Sequence, residues 1–186
     1  MYRYNGFTLI EVLISLAILL IVTAIGVPSF IDLTIKVKVD KEISLLYRLL
    51  LTARNTAINS GQTITLCPLN NQNQCSADWT LPLYVFSDSN DNKQFEPQSN
   101  ERIITMKAAI NHQDKLQYGK SRIGLSYAPT GHLSGWGQNA TFKYCPINHA
   151  NKSQGIVVAT SGRIYKSYQS HSKKNKNRSG KVIICH

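Results

Sequence analysis

The chain has 186 residues, with 21 Lys/Arg against 10 Asp/Glu and a formal charge of +11 at pH 7. The imbalance is one-sided: residues 1–114 hold nine Lys/Arg and all ten acids, whereas residues 115–186 hold twelve Lys/Arg and no acid. A surface shaped only for solubility mixes both signs, so an acid-free run of 72 residues argues for a polyanionic partner (nucleic acid, anionic lipid or an acidic protein face) over compositional drift in a basic proteome.

In chain order, the polar stretch MYRYNG precedes the apolar run FTLIEVLISLAILLIVTAIGVPSF. Thr8 to Pro28 has the length needed to cross a bilayer as a helix, about 20 residues. Arg3 ahead of it holds the N-terminus in the cytoplasm and directs the remainder outward. No small-residue cleavage site follows the run, which separates it from a secretory signal peptide. One carboxylate, Glu11, lies inside it, and a lone acid in lipid costs several kcal/mol unless paired or protonated.

Beyond Pro28 the pattern turns amphipathic. Ile31, Ile35, Val39, Ile43, Leu46, Leu50, Ala53 and Ala57 recur at threes and fours among charged residues. One helix is therefore expected from about Thr8 to Asn59, loosened or kinked near Gly26 and Pro28, and stopped by Ser60-Gly61. About 155 residues remain outside the membrane segment, enough for one domain with its own core.

After Gly61 the sequence reads as short strands: Thr63–Leu66, Leu83–Phe86, Arg102–Met106, Arg122–Tyr127, Ala140–Tyr144, Ile156–Thr160, Arg163–Tyr168 and Val182–Cys185. Turn signals separate them, among them Asn90-Asp91-Asn92, Thr130-Gly131, Gly135-Trp136-Gly137, Ser161-Gly162 and Ser179-Gly180. The expected fold class is α+β, a long N-terminal helix followed by two packed antiparallel sheets.

Four cysteines, Cys67, Cys75, Cys145 and Cys185, fit disulfides in an oxidising compartment. They allow three pairings, of which the nearest-neighbour one, Cys67 with Cys75 and Cys145 with Cys185, is favoured. Zinc is disfavoured because there is no C-x-x-C and the five histidines lack ligand spacing. Asp88, Asn90 and Asn92 match the start of a calcium loop, but Lys93 stands where the loop needs Gly and Ser99 where it needs Glu, so a plain hairpin loop is expected. No catalytic motif holds the Ser, His and Asp residues. The expectation is a non-enzyme without cofactor or metal.

The C-terminal region, SGRIYKSYQSHSKKNKNRSGKVIICH, mixes cations, Tyr165, Tyr168 and small polar residues. Lys and Arg neutralise phosphates, Ser and Asn donate to phosphate oxygens, and tyrosines stack on frayed or single-stranded bases. Nothing here offers a helix for a major groove, so recognition would be independent of sequence. The alternative is a solvated loop between two strands.

Asn5-Gly6 followed by Phe7-Thr8-Leu9-Ile10-Glu11 resembles the type IV pilin and type II secretion pseudopilin signature. Ala53-Arg54-Asn55-Thr56-Ala57-Ile58, then Ile64-Thr65-Leu66-Cys67-Pro68, Trp79 and Phe86-Ser87-Asp88-Ser89-Asn90-Asp91-Asn92 resemble the GspH/FimT group within it. The resemblance implies a pilin fold and a division into leader (1–6), membrane and filament-core helix (7–30), amphipathic continuation (31–60) and β-rich head (61–186). It implies cutting by a prepilin peptidase between Gly6 and Phe7, N-methylation of Phe7, and assembly with other pilins. In such a filament Glu11 would pair with the terminal amine of a neighbouring Phe7; the alternative is a protonated, idle acid. The implied location is the bacterial inner membrane, single-pass, with the head in the periplasm and then in a surface filament.

Some FimT-like minor pilins bind DNA for uptake, with a G-R-x-R motif implicated. Gly162-Arg163 match it, but Tyr165 takes the second Arg position and Lys166 follows. Strand alternation would put Lys166 on the face opposite Tyr165. The expected contact set for double-stranded DNA is therefore Arg163, Tyr165, Lys166, Lys173, Lys174, Lys176, Arg178 and Lys181, serving natural transformation. The competing expectation is an architectural tip or initiator subunit of a type II secretion pseudopilus or type IV pilus that touches no DNA.

Overall fold

The computed structural model describes residues 6–135, 137–169 and 175–185. Residues 1–5 of the expected leader, Trp136, the stretch 170–174 that includes Lys173 and Lys174, and His186 lie outside the described residues. The chain divides into two compact units, Met1–Val37 and Lys38–His186.

Helix α1 runs from Leu9 to Ser60. Pro28 lies inside this helix, which continues through it, because a proline withholds one amide while the adjoining turns keep theirs. In the first unit the helix carries an apolar stretch long enough to cross a membrane, with Glu11 near its start and Asp32 and Lys36 beyond Pro28, and Phe7, Leu9, Leu20, Ile25 and Phe30 are all well exposed. In the second unit the helix buries one stripe, Val39, Ile43, Leu46, Leu49, Leu50, Ala53 and Ala57. That is the three-and-four spacing of a core-facing helix, and each fully buried large aliphatic side chain contributes about 1.5–3 kcal/mol. The helix ends where Gly61, at φ +65°, donates its N–H to Ala57 O at 3.1 Å, a left-handed C-terminal stop.

Ten strands follow among the described residues: β1 Ile64–Pro68, β2 Leu83–Ser87, β3 Ile103–Lys107, β4 Lys115–Tyr118, β5 Leu125–Tyr127, β6 Ala140–Cys145, β7 Gln154–Val158, β8 Ile164–Lys166, β9 Tyr168–Gln169 and β10 Asn175–Lys176. They form an antiparallel sheet of order β3-β2-β1-β5, a second of order β4-β6-β7-β8, and a β9–β10 pair. Seven of the eight expected strands recur with shifted ends. The expected strand over Val182–Cys185 is instead one bridge, Val182 to Lys176, because Cys185 is drawn off into a disulfide. Arg122 belongs to a loop rather than a strand, since its carbonyl accepts the Trp79 indole N–H at 2.7 Å. The expected Arg163–Tyr168 strand is interrupted at Ser167, whose hydroxyl accepts the Gly155 N–H at 3.0 Å.

The core of the second sheet is aromatic. Tyr118 and Phe142 stack at 4.0 Å, and Trp79 meets both edge-on at 5.2 and 5.1 Å. Two ion pairs tie the helix to β3 and to the turn before β4: Lys107 to Glu42 at 2.6 Å and Lys38 to Asp114 at 2.6 Å. The Asp114 side chain is fully buried and also accepts from Tyr144 Oη (2.5 Å) and the Ile147 N–H (3.0 Å). Burial alone would raise its pKa, but the bonds from Lys38, Tyr144 and Ile147 outweigh it and hold the carboxyl below its ordinary range.

Candidate assembly stem and polyanion-binding face

At the N-terminus, Glu11 is already engaged within its own chain. Its Oε2 accepts the Thr8 N–H and the Thr8 hydroxyl, each at 2.8 Å, and its own N–H points to Thr8 Oγ1 at 3.4 Å. This is a reciprocal capping box over the first turn of α1. It is a role that sequence reasoning missed, although Thr-x-x-Glu before an apolar run is its written signature. The cap fixes the carboxylate within one turn of Phe7, the residue exposed if the chain is cut after Gly6.

The second feature is the outer face of the β4-β6-β7-β8 sheet. Strand alternation sends Leu116, Tyr118, Phe142, Tyr144, Ile156 and Val158 into the core. The opposite face carries Lys115, Gln117, Thr141, Lys143, Val157 and Tyr165, by the pairings Lys115↔Cys145, Gln117↔Lys143, Thr141↔Val157 and Val157↔Tyr165. Residues 175–183 lie on this face as a hairpin. Asn177 N–H bonds Lys181 O at 2.8 Å, Gly180 N–H bonds Asn177 O at 2.9 Å, and Ile183 N–H bonds Asn175 O at 2.9 Å.

Three contacts dock the hairpin. Ile183 is buried over Gly155, where a Cβ would stand 2.7 Å from Phe142 O and 3.0 Å from Ile183 Cδ1. Asn175 Nδ2 donates to Ser153 O at 2.8 Å. The Cys145–Cys185 disulfide joins the hairpin's end to β6, while Cys67–Cys75 closes the shorter loop after β1.

The expected DNA-contact residues therefore divide. Arg178 lies 4.5 Å above the Tyr165 ring, so the hairpin and β8 meet there. Arg178 and Lys181 are exposed and Lys176 half-buried. Lys166 points the other way: its Nζ lies 4.8 Å from the Tyr47 ring centroid and 3.4 Å from Ser44 Oγ on the helix. Arg163 is exposed in the turn before β8.

Residues 42–162 match the family model described as type II transport protein GspH, and residues 1–27 match the prokaryotic N-terminal methylation motif. The chain belongs to the GspH family. It is a minor pilin or pseudopilin of the type IV pilus or type II secretion kind. Among solved structures it is similar to the type IV minor pilin FimU of Pseudomonas aeruginosa in two crystal forms. One has TM-score 0.57 at 15% identity, covering 77% of this chain and 96% of that one; the other has TM-score 0.51 at 15% identity, covering 72% and 93%. The minor pseudopilin EpsH of Vibrio cholerae has TM-score 0.48 at 15% identity, covering 69% and 95%. The FimU likeness bears on the fold.

Several signature residues of this GspH-family chain have structural work. Arg54 Nε donates to Gly131 O at 3.0 Å. Gly162, at φ +73°, packs so closely on the same carbonyl that a Cβ would stand 1.9 Å from it. Asp88 is fully buried and accepts from Thr65 Oγ1 (2.6 Å) and from the Asn92 and Lys93 N–H groups (3.1 and 3.2 Å). Glu101, also buried, accepts from the Ser89 and Glu96 N–H groups at 3.2 and 2.8 Å. The D-x-N-x-N segment is thus a loop in which Asp88 is turned inward onto peptide N–H groups, while Asp91 accepts from the Ser134 hydroxyl and pairs with Lys93 at 3.5 Å.

Proposed function

We propose that this GspH-family protein is a minor pilin that assembles with other pilins and captures extracellular double-stranded DNA, without sequence preference, for natural transformation. In this reading a prepilin peptidase cuts between Gly6 and Phe7 and Phe7 is N-methylated. Helix α1 then rests in the inner membrane with the head in the periplasm, before passing into the filament. Glu11 pairs there with the Phe7 amine of a neighbouring subunit.

One observation carries the DNA reading. The hairpin with Lys176, Arg178 and Lys181 is docked on a sheet face formed wholly from the acid-free half of the chain. Cations on a fixed platform neutralise phosphates at a lower ordering cost than cations on a loose loop. The test is fluorescence anisotropy of a labelled random-sequence duplex titrated with the full-length chain in neutral detergent. Micromolar affinity is expected, falling steeply between about 50 and 200 mM salt as released counterions require. Charge reversal at Lys173, Lys174, Lys176 and Arg178 weakens it at least tenfold; affinity equal to the parent's removes the reading.

A second reading has its own support. Arg178 on Tyr165 and Lys166 on Tyr47 give those cations partners within the chain, as a purely architectural pseudopilin would need. Absence of duplex binding at low salt selects it.

A further inference from the structure

A groove of about 800 Å³ opens on the same sheet, beside the loop that joins β4 to β5. Lys120, Arg122 and Lys143 line it together with the polar side chains of Gln117, Ser121 and Thr141. Among the described residues no Asp or Glu lines it, and the ion pairs Lys38–Asp114, Lys93–Asp91 and Lys107–Glu42 lie elsewhere. Its floor is the buried aromatic group: Trp79 and Tyr118 line the groove, yet each is nearly fully buried. They offer no open ring to a base. The loop is held in shape, since Arg122 O is bonded to the Trp79 indole and the Arg122 side chain lies across Gly119. Lys143 Nζ donates to Ile184 O at 3.0 Å, so the groove borders the segment that carries the hairpin.

Across the sheet, β4 and β8 are separated by three inter-strand spacings, about 14 Å. The groove lies on the β4 side and Tyr165 with Arg178 on the β8 side. A duplex carries one negative charge per roughly 1.7 Å of its axis, so about 14 Å presents about eight phosphates. Both cationic clusters therefore fall within the reach of one duplex.

We propose that the groove beneath the 119–122 loop is a second phosphate-binding site, taking the backbone of the same duplex that lies on the hairpin. Its ligand is the phosphate chain and not the bases, because the groove's aromatics are buried and its other lining groups are mostly cations and polar donors. This rests on the DNA reading above, and the experiment separates the two.

Three full-length proteins in neutral detergent are compared: the parent, Lys120→Gln with Arg122→Gln, and Lys176→Gln with Arg178→Gln and Lys181→Gln. Each is titrated against a labelled random-sequence duplex over a range of KCl. The groove variant is expected to bind about tenfold or more weakly near 100 mM KCl. Its log–log salt slope should be shallower by roughly 2, at about 0.9 for each phosphate no longer neutralised. The hairpin variant loses its own separate share. Lys120→Glu alone, at an exposed position, should reproduce the weakening if the double variant melts early. A groove variant with the parent's affinity and slope, beside a weakened hairpin variant, overturns the second site and leaves the DNA reading standing. A parent that binds no duplex overturns the DNA reading itself. Groove-dependent binding to phosphatidylglycerol vesicles, with duplex binding unchanged by the groove variant, also overturns the second site.

Discussion

Glu11 shows how one side chain can serve two states. Within the chain it caps α1 through Thr8; in the proposed filament it meets a neighbour's amine. Glutamine can complete a capping box but cannot form an ion pair. Glu11→Gln, like Glu11→Ala, is therefore expected to insert in the membrane normally and to incorporate poorly into filaments; normal incorporation of the glutamine variant in a filament pull-down would leave only the cap. Gly162 raises the opposite question, since its match to a DNA-uptake motif has a sufficient structural cause. A side chain there would meet Gly131 O in a left-handed backbone. Gly162→Ala should destabilise the head by about 2–4 kcal/mol in denaturant unfolding, and a variant as stable as the parent would show that the close approach is relieved at no cost. Asp114 carries a pH signature. Its folded pKa is depressed, so its stabilisation is complete above the ordinary aspartate value of 3.8 and is lost as pH falls through the lower folded value. The melting temperature should drop across that acid window in the parent and less so in Asp114→Asn, which would itself be less stable at neutral pH by about 2–4 kcal/mol.

Among the elements, the hairpin of residues 175–183 is the one whose placement the tertiary structure adds. The sequence set a polyanion contact against a solvated loop; Ile183, Asn175 and the expected Cys145–Cys185 pairing fasten the segment down. A disulfide closing a segment of 40 residues contributes about 2–4 kcal/mol, here concentrated on the docking of this element. Cys185→Ser with Cys145→Ser should lower the melting temperature. Hydrogen exchange should show the Ile183 and Gly180 amides opening while the amides of β6 and β7 stay protected. Unchanged protection in the hairpin would mean that Ile183 over Gly155 suffices. Tertiary pairing likewise defines a strand that the sequence does not announce: β4 is four residues long, too short for its alternation to stand out before its pairing with β6 is known.

For the whole molecule, charge and apolarity are segregated along the chain. The apolar helix occupies one end, the acids sit in the first 114 residues, and the acid-free remainder builds every strand of the second sheet and its hairpin. Intact mass measurement on protein from cells with a prepilin peptidase should find residues 1–6 removed and one methyl group added. A mature chain starting beyond Phe30 would remove the stem on which assembly depends.

What the sequence determined alone is whatever a short window encodes: an apolar helix with its stop at Gly61, the Gly6-Phe7-Thr8-Glu11 signature, the disulfide-forming cysteines and the one-sided charge. These are local in period, spacing or composition, so no partner need be known. The tertiary structure decided which cations share a face, why Lys166 turns toward the helix, why residues 162 and 155 must be Gly, and that a basic groove lies beside the hairpin. Each of these depends on strand register or on partners far apart in the chain, such as Arg54 with Gly131 or Lys166 with Ser44, and one residue of slippage in register would turn every side chain to the other face.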